Sequence, residues 1–244
     1  MSDSPQLAVD AVPALLRTET PKGERRRRWF EVCLVLSVAC GGSILHALFA
    51  LANGPNAVPY NTTERWLFGT LQETIALFLL AYVLSRRSLR FKDLGLRWRL
   101  KDGGVGLLVA GASYLAYVLG SLFVQTVHYA IYGNFAAFLG GKDFFAHPPA
   151  TVIPFILLNP FFEELIVRAY LMTEVRDLTG SSALAIAISV IVQFSYHLYY
   201  GWAGAISLSF QFLIFALYYA RSRNILPVIV AHGLFDIYGM ARLW

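Results

Sequence analysis

Residues 159–171 read NPFFEELIVRAYL and place three charges in the middle of an otherwise apolar segment. Between residues 151 and 173 the only formal charges are those of Glu163, Glu164 and Arg168. Each charge at the centre of a membrane helix costs about 2.5–3.5 kcal/mol, so the three together exceed what the neighbouring apolar residues return. The segment is therefore expected to face the interior of a helical bundle or a hydrated cavity, with its charges paired.

The spacing of the charges predicts how they are paired. Glu164 and Arg168 are four residues apart, on one helical face and within reach of an ion pair. Glu163 is rotated by about 100° from Glu164 and so points in another direction. Pro160 removes a backbone donor and favours a kinked, locally opened helix beside Glu163. One carboxylate is then held by the arginine while the other stays available for chemistry.

The composition of the whole chain agrees with a membrane protein. Of its 244 residues 57% are hydrophobic and 14% are charged, whereas about 25% of the residues of a soluble domain are charged. Apolar segments long enough for membrane helices occur at residues 29–52, 66–85, 104–132, 151–173, 182–200, 203–220 and 225–241. A re-entrant or interfacial piece at 134–150 would add an eighth. We therefore expect an all-α, polytopic transmembrane bundle of seven or eight spans.

The basic residues predict the orientation of the bundle. With the N-terminus in the cytoplasm, sixteen of the twenty Lys and Arg residues fall in cytoplasmic segments and three in outer ones, as the positive-inside rule requires. This distribution explains the net charge of +5 without a nucleic-acid partner. The chain is accordingly divided into a basic cytoplasmic tail (1–28), N-terminal membrane helices with a basic loop (29–149) and a helical core that carries the charged segment (150–244).

Two later segments contribute further polar residues. His197 follows the apolar run VIVQFSY, and His232 and Asp236 lie four residues apart in PVIVAHGLFDIYG, on one helical face. A single histidine in a membrane helix most often makes a structural hydrogen bond to another helix. Two histidines and an aspartate that follow a Glu-Glu-Arg cluster favour a reactive site instead. Glu73, an isolated acid in the second segment, could line the same cavity but is not a candidate for catalysis.

Together these motifs resemble those of the CAAX-protease and bacteriocin-processing family of glutamic intramembrane endopeptidases, also called the Abi family. Its motifs Glu-Glu-x-x-x-Arg, Phe-x-x-x-His and His-x-x-x-Asn/Asp match EELIVR, the segment ending at His197, and HGLFD. The resemblance covers residues 150–244 and a weaker leader before them. It departs from the family at Gln193, where Phe is expected, and at Asp236, where the prenyl-protein proteases have Asn.

The resemblance implies an enzyme that hydrolyses a peptide bond of a membrane-anchored protein or peptide within the lipid bilayer. We expect a multi-pass protein of a bacterial inner membrane. By this resemblance, Glu163 and His197 activate the attacking water. His232, helped by Asp236, stabilises the tetrahedral oxyanion. Asp236 either stays protonated in the low-dielectric site or orients His232.

Two alternatives remain open for the same residues. Glu163, His197 and His232 form a plausible zinc site of two histidines and one carboxylate, although the resemblance implies no metal cofactor. Glu164 and Arg168 keep a structural role in either case. The polar cluster could also be a transport site or an inert scaffold in a non-enzymatic membrane protein, and the lack of detectable inverted halves disfavours a transporter. The sequence leaves the oligomeric state open.

Overall fold

The computed structural model describes residues 22–54, 62–137 and 148–241, and all regular secondary structure in these ranges is helical. The α-helices of the described ranges are α1 (Lys22–Leu36), α2 (Gly42–Asn53), α3 (Thr63–Ser85), α4 (Leu100–Tyr132), α5 (Val152–Glu163), α6 (Leu171–Thr179), α7 (Ser182–Tyr196), α8 (Gly201–Ser222) and α9 (Leu226–Ala241). There are also π-helical segments at Ser37–Gly41 and Glu164–Tyr170, and short 3-10 turns at Phe91–Leu94 and Leu198–Tyr200. Most of the predicted tail, and most of the predicted piece at 134–150, lie outside the described residues.

Helices coincide with all seven predicted membrane segments. One π-helical segment joins α1 to α2 and the other joins α5 to α6, so that each pair forms one continuous stretch. Within the described residues, the helical stretches long and apolar enough to cross a membrane are Lys22–Asn53, Thr63–Ser85, Leu100–Tyr132 and Leu198–Ser222. The apolar helices α7 and α9 are shorter. The all-α class is confirmed and a multi-pass membrane protein is supported, while the count of seven spans stays a prediction.

Small residues let α4 approach the C-terminal helices closely. A Cβ atom placed on Gly106 would lie 2.6 Å from Val230 Cγ1 of α9, and one placed on Gly120 would collide with the ring of Phe210 in α8. In lipid, helices associate through such close van der Waals contact because the hydrophobic effect does not distinguish lipid from protein. The long helix α4 therefore lies against both α8 and α9.

Buried ion pairs hold one end of the bundle together. Glu174 of α6 is 2% exposed and accepts hydrogen bonds from Arg28 Nε at 2.8 Å and Arg87 Nη1 at 2.6 Å. These residues belong to three segments that the sequence predicts to lie on the same side of the membrane, and their contact places them at one end of the bundle. The predicted tail extended to residue 28, but α1 already begins at Lys22, and Arg28 is fixed in this cluster.

The core lies around the π-helical segment Glu164–Tyr170, in which all seven residues are buried. Pro160 lies inside α5, one turn before this segment begins. The local opening predicted beside Glu163 takes the form of this wider helical winding. Single π-helical turns within α-helices are rare and are frequent at functional sites, which directs attention to the charged residues at the start of the segment.

Candidate active site

Three ionisable side chains converge where α5, the π-helical segment and α9 meet. Ligand atoms of Glu163, Glu164 and His232 all lie within 4.8 Å of one another. A regular helix predicts that the two carboxylates point apart, but here both reach the region of one imidazole. Glu163 keeps 7% of its surface exposed whereas Glu164 keeps none. Of the two acids, Glu163 is therefore the less completely buried.

Glu164 is the carboxylate held by its neighbours. Its Oε2 lies 3.6 Å from Arg168 Nε, so the predicted pair is present. Its Oε1 lies 2.8 Å from His232 Nδ1, a contact that the sequence did not predict. An ionised carboxylate only accepts, so the ring donates from Nδ1. This leaves Nε2 as the ring nitrogen of His232 that is available for other contacts.

Arg168, the partner of Glu164, is fully buried. Its Nη1 donates to Ser189 Oγ at 2.8 Å and its Nη2 donates to Gln193 Oε1, both on α7. The ring of Phe212 lies 5.8 Å from the guanidinium carbon. A guanidinium stays protonated and offers donors in a fixed fork. The acceptors on α7 therefore hold this charge in one orientation.

Glu163 receives two hydrogen bonds from α7. Gln193 Nε2 donates to its Oε2 at 2.9 Å, and the hydroxyl of Tyr196 donates to the same oxygen at 2.7 Å. Hydrogen bonds to an ionised group are short and strong. The carboxylate is thus fixed by a residue, Gln193, that departs from the family motif.

His197 lies just beyond the end of α7 and is linked to Glu163 through Gln193. Its Nδ1 lies 2.8 Å from the backbone oxygen of Gln193. A carbonyl only accepts, so Nδ1 carries the hydrogen and Nε2 of the neutral ring is an acceptor. The ring centroids of Tyr196 and Phe212 lie 4.7 and 4.8 Å from that of the imidazole. These contacts restrict the rotation of the imidazole ring.

Asp236 lies between His232 and a residue of α5. Its Oδ1 is 3.6 Å from His232 Nε2, and its Oδ2 accepts a hydrogen bond from Asn159 Nδ2 at 3.1 Å. This position is compatible with an aspartate that orients the histidine. Asn159 therefore places a side-chain amide, with a second N–H donor, next to Asp236.

A metal ion would find three suitable donors here. Within the described residues, the group of His, Cys, Asp and Glu side chains close enough to share an ion is Glu163, Glu164 and His232. The predicted zinc set contained His197 instead of Glu164. Carboxylate oxygen and imidazole nitrogen are ordinary zinc ligands. Binding through Nδ1 of His232 would replace its present hydrogen bond to Glu164.

Another buried acid lies close to the cluster. Glu73 of α3 is 3% exposed, and neither of its carboxylate oxygens has a hydrogen-bond partner among the described residues. It is within electrostatic reach of Glu163, His232 and Asp236. Its position agrees with the prediction that it lines the same region of the bundle.

Several residues of the site were missed or undervalued in the sequence, although their spacing carries a signal. Ser189 and Gln193 of α7 and His197 just beyond it follow one another at intervals of four residues, and Asn159 precedes Glu163 by four residues. Residues at this interval share a helical face. Polar side chains repeated every four residues in an apolar helix are the pattern that could have found them.

Comparison with known proteins identifies the family of this region. Residues 145–238 match the family model described as type II CAAX prenyl endopeptidase Rce1-like. No curated protein and no solved structure matches the chain. The matched segment is less than half of the chain, but it contains all six predicted site residues. The family predicted from the motifs is thereby confirmed for this segment, and the match supports a peptidase.

Proposed function

We propose that the chain is an intramembrane endopeptidase that hydrolyses a peptide bond of a membrane-anchored protein or peptide. The observation that carries the proposal is the convergence of Glu163, Glu164 and His232 within 4.8 Å inside the segment that matches the endopeptidase family. Ionisable groups inside a membrane are costly and are usually functional. A buried cluster of them is a candidate for acid–base chemistry.

Glu163 is the proposed base. It retains some exposure, unlike Glu164, so water can approach it. Among the described residues, the donors to Glu163 both bind Oε2, which leaves Oε1 to take a proton from water. His197, with its hydrogen on Nδ1, offers Nε2 as a second acceptor for the same water. A water that donates to both acceptors would have a more nucleophilic oxygen.

The reaction proceeds by direct attack of water on the scissile carbonyl carbon, and the proton of the water passes to Glu163. His232 stabilises the oxyanion that forms as a protonated ring: its Nδ1 donates to Glu164, and its Nε2, beside Asp236, donates to the oxyanion. Collapse of the tetrahedral species breaks the carbon–nitrogen bond. The proton held by Glu163 passes to the leaving amine, which yields one new carboxyl terminus and one new amino terminus.

The substrate class follows from the setting of the site. The matched family is described by its action on prenylated CAAX proteins, so a prenylated C-terminal peptide in a lipid bilayer is the first substrate to test. We assign the end of the bundle that carries Arg28, Arg87 and Glu174 to the cytoplasm, because the basic segments that meet there follow the positive-inside rule. The proposed mechanism uses no metal cofactor.

The proposal is tested in cells of the source organism that carry the wild-type chain, Glu163→Gln or the control Glu64→Gln. Glu64 is an exposed acid at the start of α3, so the control has the same chemical change away from the site. Mass spectrometry of membrane-protein termini is expected to find cleaved products with the wild type and Glu64→Gln. If the cleaved products were also found with Glu163→Gln, at a membrane abundance of the variant equal to that of the wild type, the assignment of the base would be contradicted. That result would favour a non-enzymatic role for the cluster.

A metal-dependent hydrolase is the second candidate, because Glu163, Glu164 and His232 could share an ion. The metal content of the purified protein and its cleavage after chelation separate the two candidates. One zinc ion per chain, lost together with activity in Glu164→Gln, would favour the metal. Cleavage by metal-free protein in the presence of a chelator would remove it.

A further inference from the structure

We infer that Gln193 is a positioning residue of this site: its side-chain amide joins the Arg168 guanidinium to the Glu163 carboxylate and fixes the orientation of the base. The inference rests on the proposed hydrolase function and adds to it a residue at which this chain departs from the family motif.

The contacts of Gln193 connect the groups that the mechanism needs. The residue is fully buried in α7. Its Oε1 accepts from Arg168 Nη2, and its Nε2 donates to Glu163 Oε2 at 2.9 Å. Its backbone oxygen accepts from His197 Nδ1 at 2.8 Å. One residue therefore contacts both side chains that are proposed to activate water, as well as the buried arginine.

The chemistry of its partners fixes the orientation of the amide. A guanidinium only donates and an ionised carboxylate only accepts, so the amide oxygen must face Arg168 and the nitrogen must face Glu163. Accepting a hydrogen bond from a cation polarises the amide and strengthens its donation at the other end. Arg168 thus acts on Glu163 through Gln193, and on Glu164 directly at 3.6 Å. Both neighbouring carboxylates are linked to one positive charge.

An apolar side chain at position 193 would break this link and leave the surroundings in place. Arg168 would lose one acceptor and Glu163 one donor, and such groups are costly when buried without a partner. Tyr196 would remain as a donor to Glu163, so the carboxylate could rotate about that single bond. The bond to His197 would persist, because it uses the backbone of residue 193. Replacing the side chain therefore tests the positioning of Glu163 separately from that of His197.

The experiment compares purified wild type, Gln193→Met and Gln193→Glu in proteoliposomes with a fluorogenic prenylated peptide, and Glu163→Gln gives the background. Gln193→Met is expected to lower kcat about 10- to 100-fold, as misplacement of a reacting group does. KM should change by less than about twofold, since no substrate contact is removed. Gln193→Glu can donate to Glu163 only while residue 193 is protonated, so its kcat relative to wild type should rise as the pH is lowered.

Gln211→Met is the matched control. Gln211 is a buried glutamine of α8, and within the described part of the chain no hydrogen bond links it to the site. The kcat of Gln211→Met should stay within about twofold of that of the wild type. If Gln193→Met had the kcat of wild type, with Glu163→Gln far below both, the inference would be overturned and the proposed function would stand.

If wild type and Glu163→Gln were indistinguishable, the proposed function itself would fail. If Gln193→Met were less stable than Gln211→Met in a thermal melt, its lower kcat could reflect unfolding, and the inference would be tested with Gln193→Glu instead. A ratio of its kcat to wild type that did not depend on pH would then overturn the inference.

Discussion

Replacing Arg168 by methionine removes a buried charge and keeps an unbranched but shorter, apolar side chain. The guanidinium is fully buried, lies 3.6 Å from Glu164 and donates to Ser189 and Gln193. Removing one partner of a buried ion pair leaves the other charge uncompensated and costs about 3–5 kcal/mol. Because His232 also donates to Glu164, part of this loss is offset, and we expect the free energy of unfolding to fall by about 3 kcal/mol.

The same change at a nearby arginine provides the control. Arg176 of α6 lies 3.6 Å from Asp177, but the two side chains are 40% and 41% exposed. An exposed pair contributes about 0–1 kcal/mol, so Arg176→Met should leave stability almost unchanged. Arg168→Lys keeps the charge but loses the fork that reaches two acceptors at once. Its stability should fall between those of wild type and Arg168→Met.

The assay is reversible unfolding of the purified variants in mixed micelles with a rising fraction of SDS, followed by circular dichroism. The reasoning predicts that Arg168→Met unfolds at a clearly lower SDS fraction than Arg176→Met. If the free energies of unfolding of the two variants agreed within about 1 kcal/mol, the buried arginine would not be the electrostatic anchor of the cluster.

Two further predictions concern the packing of α4 and the role of Asp236 beside His232. Gly106→Ala should lower the free energy of unfolding by about 1–3 kcal/mol, because the new Cβ would lie 2.6 Å from Val230 Cγ1. Gly111→Ala is the control, since a Cβ there meets nothing within 4 Å, and it should leave the free energy of unfolding unchanged in the same SDS titration. Asn159→Ala removes the donor to Asp236 and should lower kcat on the prenylated peptide about tenfold by releasing the carboxylate beside the histidine of α9. Asn159→Asp, which puts a second acid there, should lower kcat further. Wild-type kcat in both Asn159 variants would contradict an orienting role for Asp236.

The cost of charge in lipid made much of the fold predictable. Glu163, Glu164 and Arg168 inside an apolar segment require an interior position, and the structure buries all three. Apolar runs and turns predicted the helices, which occur at every predicted segment. Spacing by four residues predicted the contact of Glu164 with Arg168, because that contact depends on local helix geometry alone.

The rest depends on geometry that a regular helix does not contain. Pro160 predicted an opened helix beside Glu163, but not how far the wider winding of Glu164–Tyr170 extends or where it directs the side chain of Glu164. The hydrogen bond between Glu164 and His232 was therefore not predicted. Gln193 was noted only as a departure from the family motif, although its spacing of four residues from Ser189 and from His197 also marks it. Its role depends on which buried groups meet its amide, and this is set by the packing of α7 against the charged segment.

The most direct test of the central claim, that Glu163 takes the proton of the attacking water, is the kcat of purified Glu163→Gln beside that of wild type and Glu64→Gln. All three are measured on the prenylated peptide in proteoliposomes, after a check that their unfolding midpoints agree. Loss of a general base is expected to lower kcat about 10²- to 10⁴-fold, with Glu64→Gln unchanged. Cleavage by Glu163→Gln within about threefold of wild type would contradict the claim, since a glutamine cannot take that proton.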